Sequence, residues 1–235
     1  MTIQDKQQQE QEEEIKWTLL TIDDLPKIHE INTVAFMEDP YLNYMFHEIP
    51  KEERQPFISD IQKAFIKQTI GSNESYCLGD KQKDGIRSVV LMLPPHVPWP
   101  EDLWKLYCDK QEEIILNQRK LTSTFDRFLA VEEYFSERFL HHDAIEGYYL
   151  LILSTDTRLH GGGLASKLLN VLFEKLDREQ KSVYLECTSP KLCGYYEKMG
   201  FVAVEKGSLP HIPAELEQKY IPSVTFFKRN PKPSN

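Results

Sequence analysis

Apolar positions recur at two spacings along this chain, and the switches between them mark out its elements. Residues 17–21 predict a short first strand, and Asp23, Asp24 and Pro26 supply the acidic cap and first-turn proline of a helix running to about Phe36. Asp39-Pro40 interrupts the pattern, a short helix carries Leu42, Met45 and Phe46, and Pro50 closes it. Phe57, Ile61, Ala64 and Phe65 then recur at helical spacing within 51–70. Residues 76–78 and 86–93 predict an antiparallel hairpin whose turn holds Asp84-Gly85 and which Pro94-Pro95 stops. From 101 to 139 the helical period returns, with Leu103, Trp104 and Tyr107, then Ile114, Phe125, Phe128, Phe135 and Phe139. This stretch reads as a helical insertion, about 101–144, placed before the next strand.

That strand, Tyr148–Thr155, opens an alternating second half. A helix over 164–176 carries one apolar stripe of Leu164, Leu168, Leu169, Leu172, Phe173 and Leu176. A strand at 182–187, a short helix at 191–199 closed by Gly200, and strands at 201–204 and 223–228 follow, the last beyond a 210–222 loop. The order signals a mixed α/β domain.

Composition narrows the function classes. With 235 residues the chain fits one domain, 15–235, behind a Gln/Glu-rich tail, 1–14, expected to be disordered. That tail lacks the apolar segment of a signal peptide, and the longest apolar run, 148–153, is too short for a bilayer, so no membrane partner is expected. Cys77, Cys108, Cys187 and Cys193 show no CxxC spacing and read as reduced thiols of a cytoplasmic protein. A formal net charge of -9 argues against a nucleic-acid surface and favours neutral or cationic small partners. Monomer and homodimer both fit.

The candidate chemistry begins at His160-Gly161-Gly162-Gly163-Leu164-Ala165, between a strand and a striped helix. Glycines allow a tight turn and leave no side chain between the backbone N–H groups and an anion, while the helix start adds unpaired donors and positive dipole. A phosphate cradle results. The Gly-x4-Gly-Lys-Ser/Thr pattern of nucleotide-binding loops is absent.

In these residues the chain resembles the Gcn5-related N-acetyltransferase superfamily, whose cofactor motif runs Gln/Arg-x-x-Gly-x-Gly/Ala. Leu185-Glu186-Cys187-Thr188-Ser189-Pro190 and Gly194-Tyr195-Tyr196-Glu197-Lys198-Met199-Gly200-Phe201 extend the likeness. Ala35-Phe36-Met37-Glu38-Asp39-Pro40 is similar to the first-helix region of a puromycin-acetyltransferase-like branch. The resemblance implies a mostly antiparallel central sheet of about six to seven strands with helices on both faces. It also implies acetyl-coenzyme A (acetyl-CoA), with its pyrophosphate on the amides of Gly161, Gly162, Gly163, Leu164, Ala165 and Ser166 beside His160. The pantetheine arm would run along Leu153, Ser154 and Thr155, Tyr196 would be the general acid, and a small-molecule amine the acceptor in a ternary complex. His160 stands where Gln or Arg is usual, and Leu192 where an asparagine often is. Those departures favour the alternative of a weak or inactive acyl-CoA-binding regulatory protein.

Acetyl transfer also needs a base. Glu186, near the end of a strand feeding the site, qualifies if burial raises its pKa, while Glu38 and Asp39 offer charge for a cationic substrate. Cys187 and Cys193 read as inert buried thiols, and His141 and His142 as surface histidines rather than metal ligands, so no metal is expected. The 101–139 segment and the 210–222 loop are expected to shape the acceptor pocket.

Overall fold

Seven strands build one sheet: β1 (Trp17–Leu19), β2 (Tyr76–Leu78), β3 (Ser88–Leu93), β4 (Tyr148–Thr155), β5 (Val183–Cys187), β6 (Val202–Ser208) and β7 (Ser223–Arg229). Their order is β1-β2-β3-β4-β5-β7-β6, and every neighbouring pair is antiparallel except β4 with β5. The computed structural model describes residues 17–79, 81, 85–98, 101–214 and 216–233. The 1–14 tail, Asp84 of the predicted turn and the side chains of Leu103 and Trp104 lie outside that description. Among the described residues no helix is long and apolar enough to cross a membrane.

Seven α-helices cover both faces among the described residues: α1 (Leu25–Ala35), α2 (Pro40–Met45), α3 (Gln55–Ile70), α4 (Glu101–Gln111), α5 (Thr122–His141), α6 (Leu164–Arg178) and α7 (Pro190–Lys198). The stripe predicted on α6 faces inward, with Leu168, Leu169, Leu172 and Leu176 fully buried against Val90, Leu150 and Leu185 of the sheet. Each such leucine contributes about 1.5–3 kcal/mol of transfer free energy. On the other face, α1 and α3 cover β2 to β4 through Ile28, Ile66, Val89 and Ile152. There α2 and α5 cover β5 and β7 through Tyr44, Phe128, Tyr184 and Phe226.

One irregularity positions the site. Leu91 pairs with Ile152 but Met92 pairs with Leu150, which leaves Leu151 as the extra residue of a β-bulge in β4. The bulge resets the alternation: Leu150 and Leu153 both face α6, while Tyr149 and Ile152 both face the opposite layer. A bulge also raises local twist and bends its strand. Accordingly β4 and β5 stay paired only at Tyr148↔Val183 and Tyr149↔Tyr184, although β5 remains paired with β7 through Cys187. Beyond Tyr149 the two strands diverge, and the β4 backbone groups aimed at β5 lose their strand partner.

The 210–222 loop does not line the cavity beside this opening, among the described residues. A buried cation explains where it goes instead. Arg127 of α5, 0% exposed, donates from Nε to the carbonyl of Ile212 at 2.8 Å and from Nη1 to the carbonyls of Tyr44 and Met45 at 3.2 and 3.1 Å. The guanidinium thus ties the loop to α2 and α5, because its donors need buried acceptors.

Candidate active site

The glycine turn has the backbone that the sequence predicts. Gly161 and Gly163 take φ +84° and +68°, in the left-handed region where side chains are disfavoured. A Cβ at either position would meet nothing within 4 Å, so the space beside the turn is open. Gly163 caps α6 without a side chain, and the first helical bond runs from Lys167 N to Gly163 O at 3.0 Å. The amides of Leu164, Ala165 and Ser166 therefore have no partner within the helix. His160 is exposed, its Nε2–H donating to the Thr155 carbonyl at 3.3 Å. Ser154 is also committed, its hydroxyl donating to Asn32 Oδ1 at 2.6 Å, so β4 offers backbone rather than side-chain groups here.

Between β4 and β5, on the α5 face of the sheet, lies a cavity of about 460 Å³. Tyr149 and Leu151 of β4, Glu186 of β5, Thr188, Asp39 and Phe139 are among its walls. Strand alternation puts Glu186 here, opposite in direction to Leu185 and Cys187. Its Oε2 accepts the Tyr149 hydroxyl at 2.8 Å, and its buried Oε1 has no partner within hydrogen-bond geometry among the described residues, with the Tyr184 hydroxyl nearby. Burial is the largest influence on this carboxyl and lifts it to about 7, against the downward pull of the Tyr149 hydrogen bond.

Tyr196 approaches from the other face. It is 9% exposed and packs with Phe201 and Phe227, ring centroids 5.7 and 5.9 Å away, in the layer that holds α6. Burial raises its phenol above the ordinary tyrosine value, helped by nearby Cys187, Tyr195 and Asp39, so it stays protonated through the physiological range. It is not among the cavity walls, but Asp39, which its hydroxyl senses, is. The structure places Glu186 and Tyr196 on opposite faces of the sheet, and Tyr196 shares the α6 side with Leu153 and Leu164.

Other acids and thiols have structural duties. Asp39 caps α2, Oδ1 accepting from Tyr41 N at 2.9 Å and Leu42 N at 3.2 Å, and its Oδ2 accepts from the Thr188 hydroxyl at 2.8 Å. Asp39→Ala is expected to cost about 0.5–2 kcal/mol through the lost cap and lower the melting temperature by a few degrees, measured by thermal unfolding. Thr188→Val, which keeps the cap, should cost less. Glu38 is exposed and pairs with Lys51 at 2.8 Å. Burial pushes the Cys187 thiol up to about 12, which makes it a poor nucleophile. His142 corrects the surface reading: its side chain is 12% exposed, and Nε2 lies 2.8 Å from Glu205, to which Arg138 also donates at 3.3 Å. His141, His142 and Glu205 place one ligand atom each within 4.8 Å of one another, but Arg138 already supplies the positive charge there.

The helical 101–144 segment contributes a wall that the cofactor motifs did not point to: Glu132, Phe135 and Phe139 of α5 line the cavity, with Tyr41 of α2 and Gln62 of α3. Glu132 was legible in principle. It falls on the same helix face as Phe125, Phe128, Phe135 and Phe139, an acid inside an apolar stripe.

No protein-family model and no curated protein matches the chain. Solved structures do. Arylalkylamine N-acetyltransferase 2 from Aedes aegypti superposes with TM-score 0.58 at 17% identity, over 93% of this chain and 100% of that one. A polyamine N-acetyltransferase from Drosophila melanogaster does so with TM-score 0.57 at 14% identity, covering 92% and 100%. This chain has the N-acetyltransferase fold. An acetyltransferase from Corynebacterium glutamicum has the same fold with TM-score 0.53 at 21% identity, over 94% and 99%. Acetyltransferase-fold chains thus align with nearly the whole of this one, with its seven-stranded, mostly antiparallel sheet and helices on both faces.

Proposed function

We propose that the chain is an N-acetyltransferase that moves the acetyl group of acetyl-CoA to the amine of a small molecule by direct attack in a ternary complex. The observation that supports this reading is the β4/β5 opening beside a cavity with a buried carboxylate on one face of the sheet, with the glycine turn and a buried phenol on the other face. The amine-acetylating proteins among the structural neighbours support it. The similarity to the puromycin-acetyltransferase-like branch rests on residues 35–40 alone.

The residues fit the cofactor. Open space beside Gly161 and Gly163, with the unpaired amides of Leu164, Ala165 and Ser166, suits a pyrophosphate without any basic side chain. His160 and Gly162 complete the turn, and the β4 edge that β5 leaves at Leu153, Ser154 and Thr155, where His160 bonds the Thr155 carbonyl, suits the amides of the pantetheine arm. Bound acetyl-CoA supplies an acetyl group activated as a thioester. An amine reaches the cavity as an ammonium ion and must lose its proton to attack. Glu186, titrating about pH 7, accepts that proton directly or through water. Tyr196, kept protonated by burial, donates to the departing sulfur. The raised Cys187 thiol disfavours an acyl-cysteine route and supports direct transfer. The four free cysteines fit a reducing compartment such as the cytoplasm.

Tyr196→Phe tests the acid. It is expected to lower kcat by about 10²-fold and leave the acetyl-CoA dissociation constant unchanged, measured by steady-state kinetics and calorimetry. Equal turnover of variant and parent at several pH values would remove Tyr196 from this role.

A further inference from the structure

Four acids line the cavity, Asp39, Glu132, Glu133 and Glu186, and only one of them is needed as a base. Glu132 lines the wall formed by α5, and among the described residues its carboxylate receives a long hydrogen bond, 3.4 Å from the Tyr41 hydroxyl to Oε1. Gln62, on α3, lines the same cavity, is 0% exposed, and has no hydrogen-bond partner for either its amide oxygen or its amide nitrogen. Buried polar groups are ordinarily satisfied, so an under-bonded carboxyl and an unbonded amide facing one cavity call for a ligand that brings donors. Each of the two side chains offers acceptor oxygens. An apolar or aromatic substrate body would leave both wanting.

Building on the reading of this cavity as the acceptor site, we propose that the acceptor carries two cationic centres. The amine to be acetylated lies at Glu186, and a second protonated nitrogen is held at the α5 wall by the Glu132 carboxylate and the Gln62 amide oxygen. Glu132 is then a specificity residue that touches substrate away from the reacting atoms. Burial lifts its carboxyl to about 8, as befits a group short of a partner, and an arriving ammonium draws it into the ionised form. The net charge of -9 favours the approach of such a dication. The phenyl walls Phe36, Phe65, Phe135 and Phe139 enclose the methylene chain between the two nitrogens.

The test compares 1,4-diaminobutane, butylamine and phenethylamine as acceptors for the parent, Glu132→Gln and Glu132→Asp, with calorimetric binding of each amine measured separately from turnover. For the parent, kcat/KM with the diamine is expected to exceed that with butylamine by at least about 50-fold, a difference a charge-assisted contact can supply. Glu132→Gln should raise KM for the diamine by a similar factor, with kcat and the butylamine constants within about threefold of the parent, and Glu132→Asp should recover part of the loss. Equal diamine and monoamine binding to the parent, a preference for phenethylamine, or a Glu132→Gln variant that keeps the diamine preference would overturn the inference. If the parent acetylates none of the three amines, the transferase reading fails, and the diamine isotherms of parent and Glu132→Gln still decide this one. Unchanged acetyl-CoA affinity and a melting temperature no lower than the parent's show that the variants are folded.

Discussion

Replacing Gly163 by aspartate is expected to abolish acetyl-CoA binding while the fold survives. The position tolerates a side chain better than most left-handed sites. Its φ of +68° is one that Asp and Asn adopt more readily than other residues, and a Cβ there meets no atom within 4 Å. The strain is about 1 kcal/mol, and an aspartate at this cap would accept hydrogen bonds from the first α6 amides and gain part of it back. The same contact defeats the ligand. The carboxylate occupies the donors that the pyrophosphate needs and sets like charge against it, worth about 1–3 kcal/mol at roughly 5 Å and intermediate dielectric. Donor loss and repulsion together should weaken binding more than about 100-fold by calorimetry. Gly163→Asn carries the same strain without the charge and should lose far less. If the aspartate variant binds acetyl-CoA as the parent does, the glycine turn is not the pyrophosphate site.

Glu186→Gln is expected to lower kcat by about 10²–10³-fold and to remove the limb of the pH–rate profile near 7. In the parent the base is active when ionised, so the rate should climb as pH rises through about 7. Stability moves in the opposite sense. The folded-state pKa of Glu186 lies above its ordinary value of 4.5, so its contribution to stability is fully present below that value and is lost as pH rises through about 7. Glutamine carries no such penalty. Denaturant titrations should therefore find Glu186→Gln more stable than the parent at pH 8 by ~1–3 kcal/mol, with the advantage fading towards pH 4. A variant that loses activity but gains stability is what a strained catalytic carboxylate predicts. A variant that keeps the parental pH profile would place the base elsewhere.

Features governed by local periodicity were legible in the sequence. The Tyr148–Thr155 strand and the α6 stripe were read at nearly their observed bounds, because a continuous apolar run and a 3.6-residue repeat leave clear marks. The glycine turn and Glu186 were legible for the same reason, since each sits next to such an element. The Leu151 bulge was not, because it exists only as a mismatch of register with β3. Glu132 was hidden among phenylalanines whose periodicity accounted for α5 without it. The 210–222 loop was read as a pocket wall, but a buried arginine far away in sequence draws its backbone to α2 and α5. Asp39 lines the cavity, as a substrate-binding acid would, yet it also caps a helix and holds Thr188, duties that sequence position alone does not separate. His160 and Leu192 are the irregular members of the motifs: one bonds back to β4 and the other is 48% exposed.

The most direct measurement follows release of free coenzyme A thiol and appearance of N-acetylated product when the purified chain meets acetyl-CoA and a panel of mono-, di- and arylalkylamines. One acetamide is expected per thiol released, with saturation in both substrates and initial-rate lines that intersect, as a ternary complex requires. Tight acetyl-CoA binding without product from any amine would contradict it and leave an acyl-CoA-binding protein on an acetyltransferase fold.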